Sequence, residues 1–329
     1  MVKQVKHITI TILLLLLTIL SFGVINPNEI NLNGKWKFNV GDNPYWANPN
    51  FDDSQWDEIY APGDWENQGY RKYDGFAWYR KKITPGEQHS DKVIYLELGY
   101  IDDVDEVFIN GVKVGQTGKF PPHFSTGYKT NRRYLVPNQL IHFGKENTIA
   151  IRVFDSRLNG GMVNGQLKML FKGVSLPLDI NLAGEWFFNK GKEVNLEDKS
   201  PIIVPGIWEN QGYNNYDGYG VYSTSFTISE SLALHDLVFM VGRIDDVDRV
   251  FINGKLVGST GKYKERRSEN YYLEFRNYFF PKGILKPGLE NTVVVKVWDE
   301  VWDGGIVEGP IGIISQDKFR KYWMSQRRN

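Results

Sequence analysis

Two loops in this chain hold the residue types that recognise polar ligands, and the chain contains each of them twice. Pro62-Gly63-Asp64-Trp65-Glu66-Asn67-Gln68-Gly69-Tyr70 recurs as Pro205-Gly206-Ile207-Trp208-Glu209-Asn210-Gln211-Gly212-Tyr213. Just beyond, Tyr73-Asp74-Gly75 recurs as Tyr216-Asp217-Gly218. Sugars present C–H faces that pack on aromatic rings and hydroxyls that pair with carboxylates and amides. Trp65, Glu66, Asn67, Tyr73 and Asp74, with Trp208, Glu209, Asn210, Tyr216 and Asp217, supply that mixture. The competing reading makes each Trp a core plug and each amide a loop brace, and for Trp65 and Trp208 both readings stand open. For Trp36 and Trp186, which sit mid-strand before alternating apolar residues, core packing is expected.

A second pair of loops, Asp155-Ser156-Arg157-Leu158-Asn159-Gly160-Gly161 and Asp299-Glu300-Val301-Trp302-Asp303-Gly304-Gly305, ends in paired glycines. Glycine lets backbone approach something closely, either a ligand or a neighbouring loop. Arg157 and Trp302 differ between the copies and are the further candidates for ligand contact.

Acidic clusters form a third repeated feature, Asp102-Asp103-Val104-Asp105 and Asp245-Asp246-Val247-Asp248. Carboxylates on one face of a strand could feed Ca²⁺, which takes six to eight oxygens; Asp103, Asp105, Asp246 and Asp248 are the candidates. Structural hydrogen bonding to nearby loops is the plainer reading, direct contact with a sugar is the third, and no cofactor is expected. The five histidines show no metal-ligand spacing, and no Ser/His/Asp arrangement or phosphate-binding glycine loop can be assembled. No catalytic residue is assigned.

The elements that carry these loops are strands. Asn110-Gly111 and Asn253-Gly254 lie between short β-branched runs and predict tight hairpins with positive φ at both turn residues. Gly99–Gly118 and Gly242–Gly261 are copies of one sequence, 143 positions apart. Ile94, Leu96 and Leu98 alternate, as do Ile149, Ile151 and Val153, and the second copy repeats both patterns. Period-two alternation puts one face of each strand in a core. The fold class is therefore all-β, with two tandem jelly-roll β-sandwiches after an N-terminal signal segment. The divisions are a signal peptide over residues 1–23, a linker over 24–29, sandwiches over 30–173 and 174–315, and a basic tail over 316–329, read as a frayed helix with no assigned role.

Two stretches diverge between the copies. The first carries Phe51-Asp52-Asp53-Ser54-Gln55-Trp56 where the second has a shorter lysine-rich segment. After the hairpin, Phe120-Pro121-Pro122-His123-Phe124 faces Tyr263-Lys264-Glu265-Arg266-Arg267. Such divergence predicts unequal binding by the two copies.

The 329 residues give each sandwich enough chain for its own core. Lys and Arg together number 39, matched by 39 Asp and Glu, so the basic surface that nucleic acid demands is missing. There is no cysteine, hence no disulfide framework. Lys3, Lys6 and His7 precede the apolar run Ile8–Leu20 and the small residues near Gly23, the pattern of a cleaved secretory signal. Export is expected, to periplasm or exterior, with an uncleaved anchor as the alternative. No segment after the signal is suited to crossing a membrane.

The run Trp65–Tyr70, then Tyr73-Asp74-Gly75 and Trp78-Tyr79-Arg80, resembles the sugar-binding jelly-roll domain of family 2 glycoside hydrolases such as β-galactosidases and β-glucuronidases. Phe51–Trp56 resembles an early motif of the same domain. Gly99–Glu106 with its Asn-Gly hairpin, and the ending Asn147–Asp155 with Gly160-Gly161, are similar to the jelly-roll domain inserted in sialate O-acetylesterases. The resemblance covers nearly everything after the signal and supplies no active site. A family 2 hydrolase uses paired carboxylates on a separate barrel, and the esterases' Gly-Asp-Ser setting is unmatched at Gly41-Asp42-Asn43 and Gly63-Asp64-Trp65. It implies a carbohydrate-binding protein whose partners are oligo- or polysaccharides, with avidity if both copies engage. The alternative is an accessory subunit docked to a separate glycosidase or esterase. A hydrolase in its own right is the third reading.

Overall fold

Alternation becomes burial in both copies. Ile94, Leu96, Leu98, Ile149, Ile151 and Val153 have no exposed surface, and Val241, Val293, Val295 and Val297 repeat this in the second copy. The computed structural model describes residues 27–195, 197–262 and 271–326. The expected signal peptide and the loop Tyr263–Arg267 lie outside the described residues.

Two β-sandwiches result, each with its own apolar core. In the first, a six-stranded antiparallel sheet runs in the order Asp57–Ala61, Gly34–Val40, Gly75–Ile83, Asn147–Asp155, Val104–Ile109, Val112–Thr117. The second sandwich repeats it strand for strand: Ser200–Val204, Gly184–Lys190, Gly218–Thr227, Glu290–Asp299, Val247–Ile252, Lys255–Thr260. The facing sheets are built on Val93–Ile101 and Leu237–Asp245.

One register positions everything that follows. The central strands pair from Ile83 opposite Asn147 to Gly75 opposite Asp155, and from Thr227 opposite Glu290 to Gly218 opposite Asp299. Each Tyr-Asp-Gly turn is thereby fixed beside an aspartate that ends the longest strand pair of its sheet.

The hairpins close as expected, with positive φ at Asn110, Gly111, Asn253 and Gly254. Asn110 does more than turn the chain. Its amide donates to Asn147 Oδ1 at 2.8 Å while its own Oδ1 accepts the Thr148 amide at 2.9 Å. Asn253 repeats this against Asn291 and Thr292. Trp36 and Trp186 are buried in their cores, each indole N–H held by the carbonyl of Leu32 or Leu182. The insertion Phe51–Trp56 is structural as well: Asp53 pairs with buried Arg80 at 2.7 Å, and Trp56 packs with Ala47, Trp78 and Ala150.

The sandwiches meet through their repeated motifs. Gly118 at the end of the first hairpin donates its amide to the Asn210 carbonyl at 2.6 Å. Lys119 caps the Tyr213 ring at 4.0 Å, and Asn214 reaches Ser125 at 2.8 Å. The tail is not frayed over its described part: Gln316–Gln326 is a helix whose Phe319 and Tyr322 pack on Leu176, Val238, Met240 and Ile314. Among the described residues, no helix is long and apolar enough to cross a membrane.

Candidate functional site

The tryptophans of the repeated loops are interior. Trp65 and Trp208 have no exposed surface, and their indole N–H groups donate to the carbonyls of Tyr73 and Tyr216 at 3.1 Å. Each ring lies under the paired glycines: a Cβ on Gly160 would stand 2.2 Å from Trp65, and one on Gly304 would stand 2.3 Å from Trp208. The close approach that the glycines permit is to the neighbouring loop, so neither ring offers a face for a sugar to stack on. Tyr73 and Tyr216 are half-buried, and their hydroxyls donate to the Phe76 and Tyr219 carbonyls at 2.7 Å. Glu66 accepts the Gly160 amide at 3.0 Å, and Glu209 accepts that of Gly304 at 2.9 Å. Asn67 donates to Asp64 at 3.2 Å. Asp74, Asp217, Arg157 and Trp302 are exposed, Trp302 at 84%.

The metal candidates separate. Asp105 and Asp248 are buried and committed to Arg132 and Arg276, so they are not free to ligate a cation. Asp103 is no strand residue: at φ 54° it turns the chain between two strands, and its Oδ2 accepts the Ser156 amide and hydroxyl at 2.8 and 2.6 Å. Of the four candidates, Asp246 stays in an acidic group with Asp245 and Asp299, one carboxylate oxygen of each lying within 4.8 Å of the others.

The acids at these strand ends are hard to ionise. Burial pushes Asp155 up to about 7, with Asp102, Asp103 and Asp74 adding repulsion against one lowering bond from the Arg157 amide. Burial lifts Asp299 to about 8, helped by Asp245, Asp246, Glu209 and Asp217. Glu209 is raised to about 7 by burial, despite the Gly304 amide.

A cleft of about 510 Å³ opens between the sandwiches. Tyr95, Asn131 and Arg133 line it from the first, and Asn210, Arg243, Asp245 and Tyr272 from the second. Arg243 Nε is buried there without a hydrogen-bond partner, although Glu308 lies 3.4 Å away as an ion pair. Arg133 lies over the Tyr95 ring at 4.1 Å. Of the candidates chosen from sequence, Asn210 is the one that reaches this cleft. Its neighbours Pro205, Gly206, Ile207 and Gln211 in the repeated loop and Asp245 of the acidic cluster also line it, and the remaining walls join residues far apart in the chain.

Residues 41–158 match the family described as the β-galactosidase second all-beta domain. The chain carries an all-β domain of the family 2 glycoside hydrolase type. A β-galactosidase of Bacteroides ovatus is 29% identical over 146 residues, covering 40% of this chain and 16% of its own. A β-glucuronidase of Formosa agariphila is 29% identical over 143 residues, covering 39% of this chain and 13% of its own. The chain thus spans a small part of the curated relatives it matches. A crystal structure of a Bacteroides uniformis β-glucuronidase aligns over 83% of this chain and 28% of its own, at 18% identity and a TM-score of 0.38. The matched family 2-type span contains Trp65, Glu66, Asn67, Tyr73, Asp74 and Arg157. The second sandwich repeats the strand order of this domain outside that span.

Proposed function

We propose that this chain is an exported, non-catalytic carbohydrate-binding protein whose site is the cleft between its two sandwiches. The observation that carries the reading is the cleft's lining, which pairs aromatic rings with amides, guanidiniums and two carboxylates, drawn together from both copies. Tyr95 and Tyr272 supply apolar faces, and the Arg243 Nε–H is a buried donor that a sugar hydroxyl would satisfy. Buried donors gain most from such a partner, because an unmet one carries its full desolvation cost. The kinship to glycan-hydrolysing enzymes supports carbohydrate as the ligand class, and the second-copy loop contributes through Asn210. A glycan array probed with the mature chain tests this. Saturable binding to a subset of glycans without their cleavage is expected; no binding to any glycan, or turnover of aryl glycosides by the pure protein, would overturn it.

A second reading, an accessory subunit docked to a separate glycosidase, has one observation in its favour. A largely apolar groove of about 920 Å³, lined by Leu176, Met240, Phe275, Tyr322 and Trp323, lies beside the C-terminal helix. Co-purification of a glycosidase that is released by Trp323→Glu would support it.

A further inference from the structure

We propose that Asp245, Asp246 and Asp299 of the second sandwich hold one divalent cation of the Ca²⁺ class. Asp299 ends the central strand, is 1% exposed, and has both carboxylate oxygens buried without a hydrogen-bond partner. Its oxygens face those of Asp245 and Asp246, one atom from each residue lying within 4.8 Å of the others. A carboxylate removed from water with no donor is strongly disfavoured unless something neutralises it. Glu209, Asp217 and Asp303 add negative charge around the group, and Arg276, which acts on Asp245, is committed to Asp248.

The first sandwich serves as an internal comparison, because the chain itself supplies more of the donors there: of Asp155 only Oδ2 is buried without a partner, against both oxygens of Asp299. Ser156 gives both its amide and its hydroxyl to Asp103, the Arg157 amide binds Asp155 Oδ1 at 3.0 Å, and Asn159 binds Asp64 at 2.8 Å. In the second copy these positions are Glu300, Val301, Asp303 and Ile207. The changes at Ser156, Arg157 and Asn159 each make the loop one charge more negative. The Glu300 amide still reaches Asp246 at 3.1 Å, but the hydroxyl donor and the Asn159–Asp64 brace have no counterparts. The first copy meets Asp103 and one oxygen of Asp155 with its own donors, whereas the second gathers Asp245, Asp246 and Asp299 with fewer donors and more negative charge.

The ligand set names the ion. Three carboxylates with no imidazole or thiolate suit a hard cation rather than Zn²⁺ or Cu²⁺. Asp245 and Asp246 are half-buried, so water can complete the larger, adaptable shell of Ca²⁺, whereas Mg²⁺ demands near-ideal octahedral geometry. Asp245 also lines the cleft, which places the ion in its wall. The proposal stands independently of the carbohydrate reading.

Equilibrium dialysis of the EDTA-stripped whole chain against radiolabelled Ca²⁺ at about 1 mM, where extracellular modules bind, tests it. One ion per chain is expected, lost in Asp299→Asn and kept in Asp155→Asn. Stability in EDTA guards against misreading an unfolded variant. Asp299→Asn replaces a buried carboxyl that has no donor with an amide of the same shape, so its Tm in EDTA should stay close to that of the wild type, while Ca²⁺ should raise the Tm of the wild type alone. No bound ion, retention of the ion by Asp299→Asn, or its loss from Asp155→Asn would overturn the assignment.

Discussion

Arg132 Nε donates to Asp105 Oδ1 at 2.7 Å with both side chains fully buried, and Arg276 makes the same bond to Asp248 at 2.9 Å in the second sandwich. The second oxygen of each carboxylate accepts a tyrosine hydroxyl, from Tyr134 at 2.5 Å and Tyr278 at 2.6 Å. Arg132 also donates to the carbonyls of Gly127 and Thr130, so one guanidinium ties a strand to the loop before it. The last aspartate of each acidic cluster is thus an internal bolt. Removing one partner of a buried pair leaves the other charged and unmet, at a cost of about 3–5 kcal/mol. Arg132→Ala should lose about that much in urea unfolding, while Arg132→Met combined with Asp105→Leu should recover much of it.

Asp155 gives a stability dependence on pH whose sign is fixed by burial. Its folded-state pKa of about 7 lies above the ordinary value of 3.8, so the folded chain binds this proton more tightly than the unfolded chain does. The contribution is fully present below the unfolded pKa and is lost as pH rises through about 7. Asp102, Asp103 and Asp74 face the group and strengthen the effect; the Arg157 amide opposes it. Wild-type unfolding free energy measured from pH 4 to pH 8 should fall more steeply than that of Asp155→Asn. Parallel curves would show that Asp155 ionises freely in the fold.

Gly160 and Trp302 mark opposite extremes of packing in the two paired-glycine loops. A Cβ on Gly160 would enter the Trp65 ring, so Gly160→Ala should destabilise by about 1–3 kcal/mol through forced repacking. Trp302 projects into solvent, and Trp302→Ala should change stability by no more than about 0.5 kcal/mol. Chemical denaturation of the two variants checks both.

The scaffold was legible in the sequence because its rules are local. Alternation marked the buried face of Val93–Ile101, and Asn110-Gly111 marked the hairpin, since both depend on neighbours in the chain. Trp36 was assignable to the core for the same reason. Trp65 was not: whether an aromatic residue in a loop faces solvent or a core depends on Gly160, 95 positions away, closing over it. The aspartates posed the same difficulty. Asp103 and Asp246 hold the same place in the repeated motif, yet one is met by the Ser156 amide and hydroxyl while the other lies with Asp245 and Asp299. The cleft was invisible because its walls come from different copies, although Asn210 and Gln211 of the repeated loop and Asp245 of the acidic cluster stand in its lining.

Affinity electrophoresis of the whole chain through polysaccharide-containing gels, wild type beside Arg243→Ala and Trp302→Ala, tests the central claim most directly. The cleft account predicts that the wild type and Trp302→Ala are retarded in at least one polysaccharide, while Arg243→Ala migrates as it does in a sugar-free gel. A wild type unretarded in every gel, or an Arg243→Ala variant retarded as strongly as the wild type, would contradict it.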